Sequence, residues 1–164
     1  AESGTSTFTM KGGTLTGRNG DQIYVTNTHS VITLEDVTIT NQDSSGRLLA
    51  ILGNDATRGW GTAGANGGQV DLTTTNQTLT GAIEVDTVST LNFTMGKGTN
   101  FTGTINIVKN AEGGTAVDNN AVITVEEGAT WTLTGNVTIT SLENKGTINF
   151  NGYTITLADG TVLK

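Results

Sequence analysis

Two segments of this chain superimpose at an offset of roughly 22 residues. Thr78-Leu79-Thr80-Gly81-Ala82-Ile83-Glu84-Val85 matches Asn100-Phe101-Thr102-Gly103-Thr104-Ile105-Asn106-Ile107 in its apolar positions and in its glycine. Apolar residues recur at about that spacing elsewhere, from Val70 to Leu91 and from Phe101 to Ile123. Within each segment they alternate, as in Ile23/Val25, Ile32/Leu34, Leu49/Ile51 and Val137/Ile139. Alternation is the period of a half-buried strand. Gly, Asn, Asp and Thr between the pairs are turn residues. No window carries a helical period, and the absence of Pro suits a fully paired sheet. One such unit cannot bury its own apolar face, whereas stacked neighbours can. The pattern predicts an all-β parallel solenoid of about six or seven coils. At ~4.8 Å per coil the stack is on the order of 30 Å tall.

A single domain over residues 1–164 accommodates this pattern. Residues 53–68 break it, being Gly-rich and without alternation, and read as a long loop leaving the stack. Residues 110–120 form a smaller excursion. Residues 131–164 hold denser apolar pairs and read as the last coils plus a C-terminal cap. Phe150-Asn151-Gly152-Tyr153 carries a hairpin signal. No matching cap is evident near the N-terminus.

The polar surface must be built with few charges, which are 14% of the residues against a usual ~25%. A net charge of −7 argues against nucleic acid as a partner. It also argues against docking on anionic lipid, and no apolar run is long enough to span a membrane. Cysteine is absent, so disulfide and thiol chemistry are excluded.

Four phrases carry a resemblance: Met10-Lys11-Gly12-Gly13-Thr14-Leu15-Thr16, Ile23-Tyr24-Val25-Thr26-Asn27-Thr28, Gly59-Trp60-Gly61 with Asn66-Gly67-Gly68, and Trp131-Thr132-Leu133-Thr134-Gly135 with Asn151-Gly152-Tyr153-Thr154. The chain resembles right-handed parallel β-helix domains of the pectin-lyase-like superfamily. More narrowly, it looks like bacterial extracellular β-helix domains of the carbohydrate-binding or adhesin-like kind. The resemblance covers nearly the whole chain. It implies a secreted or cell-surface location, a polysaccharide or cell-surface glycan as partner, and calcium as the cofactor to consider.

Lyases of that superfamily use Arg or Lys beside calcium-binding carboxylates. Only Arg18, Arg47 and Arg58 are present, and no acidic cluster stands at matching coil spacing in the sequence. Asp36, Asp71 and Asp86 lie beside inward apolar positions with nothing to pair them, although glycosidases need paired carboxylates. The expectation is a protein without catalysis. His29, the only histidine, cannot build a zinc site and reads as a turn residue. Asp43-Ser44-Ser45, Asn54-Asp55 and Asp118-Asn119-Asn120 are oxygen-rich enough to raise calcium. None matches a calcium loop, and ordinary Asx turns explain them.

Trp60 is the aromatic of most interest, because sugar rings stack on exposed aromatic faces. Arg58 beside it could bind an acidic sugar's carboxylate. The opposing reading folds Trp60 down as a seal on the loop. The candidate ligand contacts are Trp60, Arg58, Asn54, Asp55 and Asn66. Trp131 alternates with Leu133 and reads as core. Thr-x-Thr pairs such as Thr14/Thr16, Thr38/Thr40 and Thr78/Thr80 point outward. Their uneven spacing predicts that they fall on different faces, as β-formers on a solvated sheet. Three functions follow: a polysaccharide-binding or adhesin module first, an end-to-end stacking structural protein second, and ice binding third.

Overall fold

The computed structural model describes residues 4–164, and the Arg58 side chain lies outside the described residues. In chain order the strands begin with β1 (Thr5–Lys11), β2 (Thr14–Gly17), β3 (Ile23–Val25), β4 (His29–Glu35), β5 (Thr38–Asn41) and β6 (Leu49–Ile51). A 3-10 turn at Ala56–Arg58 precedes β7 (Gln69–Thr75), β8 (Thr78–Asp86), β9 (Thr90–Met95), β10 (Asn100–Val108) and β11 (Ala121–Val125). Then come β12 (Thr130–Leu133), β13 (Val137–Thr138), β14 (Ser141–Asn144), β15 (Thr147–Asn149), β16 (Ile155–Thr156) and β17 (Val162–Leu163).

The fold is all-β with parallel sheets. β1, β4, β7, β9, β11 and β14 form a six-stranded sheet, parallel throughout. β2 and β5 form a two-stranded parallel sheet. The other nine strands form the third sheet, parallel except where β17 turns back on β16. The chain leaves one sheet, visits another, and returns beside its own earlier strand. The repeat in the sequence is this register, with Thr78 beside Asn100 and Val85 beside Ile107.

Alternate side chains turn inward and stack like on like. Ile32, Leu72, Phe93 and Ile123 are register neighbours in the six-stranded sheet. Leu79, Phe101, Trp131 and Ile148 line up in the nine-stranded one. Phe101 packs on Phe93 across the interior at 6.1 Å between ring centroids. It stacks on Trp131 at 5.9 Å, within 20° of parallel. Trp131 is core, as its alternation predicts, and its indole N–H donates to the Gly103 carbonyl at 3.1 Å. A buried indole needs such a partner.

Two expectations are corrected. Asn151-Gly152 does make a tight turn, with φ of 58° and 83° and Tyr153 N–H bonded to the Phe150 carbonyl at 2.9 Å. The flanking strands do not pair with each other, however. β15 lies on β12 and β16 on β13, so the turn is a corner between strands. Among the described residues the one antiparallel pairing is β16 with β17, turned through Asp159-Gly160. The Thr-x-Thr pairs scatter less than predicted: Thr104 and Thr138 lie off the ranks, beside Ala82 and Asn106, but others align. Thr14 stacks on Thr38 and Thr16 on Thr40. Across a gap of about 230 Å³ lined by Thr38 and Thr78, two ranks continue. One runs Thr78–Asn100–Thr130–Thr147 and the other Thr80–Thr102–Thr132–Asn149.

The two ends of the stack differ. β1 and β3 pair on one side only, Phe8 is 44% exposed, and Phe8, Leu15, Ile23, Val25 and Ile32 line a cavity of about 410 Å³. At the other end β17 covers β16, and β14 is short and charged. Short, charged strands blunt an edge.

Candidate functional site

Residue Asp86 ends β8, beside the points where the 53–68 and 110–120 segments leave the sheets. Its side chain is buried and accepts from Gly53 N–H at 2.7 Å, from Asn110 Nδ2 at 2.7 Å and from Val88 N–H at 3.2 Å. Asp86 thereby ties the root of the 53–68 loop to the root of the 110–120 excursion. Gly53 must be glycine here, since a Cβ would lie 2.4 Å from Val88 Cγ2. The excursions also touch further out, where Ala56 N–H donates to Glu112 Oε1 at 3.0 Å.

Between them lies a groove of about 270 Å³, lined among others by Arg47, Asp55, Asp86, Lys109 and Asn110. Arg47 is held in a fork: Nε and Nη2 donate to Asp21 at 2.9 and 2.8 Å, and Nη1 to Glu84 at 2.7 Å. Asp21, and after it Glu84, holds the guanidinium well above its already high ordinary pKa, against a lowering by burial. Arg47 lies just before β6, in no strand, and its two carboxylate partners do not stand at the repeat spacing. Asp21 and Glu84 lie 26 and 37 residues away along the chain. Lys109 is exposed and forms no ion pair among the described residues.

The five predicted contacts fare differently. Trp60 is 45% exposed, so it does not fold down as a seal. Asp55 lines the groove and caps the 3-10 turn, accepting from Thr57 N–H at 2.8 Å. Asn54 is a correction: it is only 1% exposed, and its amide donates to the Trp60 carbonyl at 3.0 Å. It holds the loop's shape and has no surface to offer a ligand. Asn66 is half-buried in the left-handed region, φ 57°, and its carbonyl accepts Asn27 N–H at 2.9 Å. The Arg58 side chain lies outside the described residues. Arg47, Asp86, Lys109 and Asn110 were not singled out as ligand contacts from the sequence. The 24-residue separation of Asp86 and Asn110, close to one repeat, is the signal that points to their adjacency.

The oxygen-rich turns do not make a calcium cage. Asp43 Oδ1 accepts from Ser45 and its Oδ2 from Gly20 N–H, and Asn120 donates its amide to the Thr87 and Ser89 carbonyls. No three of His, Cys, Asp and Glu converge among the described residues. These bonds engage the Asp43 and Asn120 side chains within the chain's own turns.

His29 opens β4 rather than lying in a turn. Its Nε2 meets Asp71 Oδ2 at 2.7 Å, and Asn92 donates to Asp71 Oδ1 at 3.0 Å. The His29 bond, and to a lesser degree Asn92, lower the Asp71 pKa. A carboxylate whose folded pKa lies below its unfolded one stabilises the fold above the unfolded value near pH 4. That contribution is lost as pH falls through the depressed value. Wild type should therefore lose slightly more stability than Asp71→Asn between about pH 5 and 2, by under ~1 kcal/mol at so exposed a pair. Denaturant melts across that range measure it, and equal slopes would contradict it.

The chain matches no known protein family, no curated protein and no solved structure.

Proposed function

We propose that the chain is a non-catalytic, extracellular or cell-surface binding module, built as a right-handed parallel β-helix of the pectin-lyase-like kind, that takes polysaccharide in the groove between its two excursions. The observation that carries the reading is the pairing of a polar groove with an exposed tryptophan on the loop that walls it. Sugars want hydrogen-bonding side chains for their hydroxyls and a flat apolar surface for their ring faces. Asp55 and the exposed Lys109 supply the first, and Trp60, on the loop that carries Asp55, supplies the second. The volume is just below the ~300 Å³ at which small-molecule pockets begin, which suits one ring of a longer chain. Lys109 offers a positive charge to an acidic sugar.

Arg47 supports the absence of catalysis. A base must give up its proton, and three hydrogen bonds to carboxylates hold the guanidinium charged. Calcium has no role in this reading.

Titration calorimetry with neutral and uronic-acid oligosaccharides tests it. Trp60→Ala should weaken both classes by at least about tenfold, as loss of an aromatic anchor does. Lys109→Ala should weaken the acidic class alone. Affinities unchanged in both variants would remove the groove from the account.

Self-association is the second reading, favoured by the open apolar end at β1. One open end and one closed end favour a head-to-head pair over a filament. Light scattering should then give a dimer that Phe8→Lys dissociates; a monomer at all concentrations discards this reading.

A further inference from the structure

Threonine ranks that stand side by side without a charged neighbour lie on one side of the molecule. Of the eight positions in these two ranks, six are Thr and two are Asn. Across the gap, in β2 and β5, all four are Thr. None is charged. The outward face of the six-stranded sheet is different: one column is threonine, Thr9–Thr33–Thr73–Thr94–Thr124, but its neighbours include Asp71 and the Lys11–Glu35 ion pair. The outward column beside β3 and β6 reads Tyr24, Ala50, Glu84, Asn106 and Thr138. Strand propensity alone would favour threonine on all of these surfaces equally. Its concentration in an uncharged double rank needs another cause.

The ranks have a defined geometry. Successive hydroxyls along a rank are one strand spacing apart, ~4.8 Å, and the two ranks stand two residues apart, about 6.6 Å. β-Branching restricts each χ1, so a hydroxyl and a methyl are presented at each threonine with little freedom. Among the described residues only Thr132 Oγ1 in these ranks bonds to another side chain, Asn149. The remaining hydroxyls face solvent. Beneath them Leu79, Phe101 and Trp131 are buried and stiffen the strands from below.

We propose that this face binds ice. A rigid, uncharged grid of hydroxyls and methyls holds its first water layer in a repeating arrangement, with the hydroxyls anchoring and the methyls ordering the waters between them. Such a layer can merge with a growing lattice, whereas a charged face imposes its own radial hydration. The proposal uses none of the groove residues and stands or falls apart from glycan binding.

The test is partition into slowly grown ice, with recrystallisation inhibition as a second readout, on the intact chain. Thr102→Tyr places a step in the middle of the grid, and Thr94→Tyr places the same step on the six-stranded sheet. Circular dichroism establishes that both variants fold. Wild type and Thr94→Tyr should enter the ice and slow recrystallisation, and Thr102→Tyr should lose both. Exclusion of wild type from ice, or equal behaviour of the two variants, overturns the proposal. Retention on crystalline cellulose or chitin without entry into ice also overturns it, and would assign the grid to a polysaccharide surface instead.

Discussion

Replacing Trp131 with alanine should lower stability by about 3–5 kcal/mol, the cost of emptying an aromatic-sized space in a packed core. For a chain of this length that is a fall in Tm on the order of 10 °C. Trp131 is fully buried, stacks on Phe101, and gives its N–H to Gly103. The alanine variant loses the stack and leaves that carbonyl short of a donor inside the core. Trp60 has the same side chain with nearly half its surface in solvent. Trp60→Ala should stay within about 0.5 kcal/mol of wild type, as surface changes do. Thermal melts of the two variants side by side measure the difference. Equal melting temperatures would mean that the two indoles have been assigned to the wrong environments.

A single methyl group should be nearly as damaging at Gly103. In the middle of the nine-residue strands β8 and β10, Gly81 adopts φ 129° and Gly103 lies directly beside it. A Cβ on Gly103 would sit 1.9 Å from the Gly81 carbonyl oxygen and 2.8 Å from a ring carbon of Phe101. Neither can yield cheaply, since one is backbone in a ladder and the other lies between Phe93 and Trp131. Gly103→Ala should cost at least the ~1–3 kcal/mol of ordinary overpacking. Gly135→Ala is the control: its Cβ would meet only a Thr104 methyl at 3.3 Å, at a negative φ. It should be close to neutral, helped by the smaller entropy of its unfolded chain. Urea melts decide between them, and a harmless Gly103→Ala would contradict the register of β8 on β10.

The match of residues 78–85 with 100–107 was legible because no long excursion separates β8 from β10, so sequence offset and register coincide. Trp131 was legible for the same local reason, alternation with Leu133. The hairpin reading of Asn151-Gly152 failed because turn chemistry fixes the bend but not the partner of the strands it joins. Those strands had better partners already laid down in β12 and β13. The groove was half legible. Loss of alternation marked the 53–68 loop, and Trp60 and Asp55 with it. Arg47, Asp86 and Lys109 are separated by unequal lengths of chain, so no constant offset brings them together. Asn54 illustrates the converse: a polar residue in a loop can serve the loop itself, and only burial reveals it. The threonine ranks were hidden by the same inserted loops, which spread in-register pairs to uneven spacings.

The most direct test of the central reading is a glycan array probed with the purified chain and with Trp60→Ala. The account predicts that the wild-type chain binds a restricted set of polysaccharides, acidic chains among them, with or without a calcium chelator, and that Trp60→Ala loses them. An array on which the folded wild-type chain binds no glycan, or on which Trp60→Ala binds the same set equally well, would contradict it.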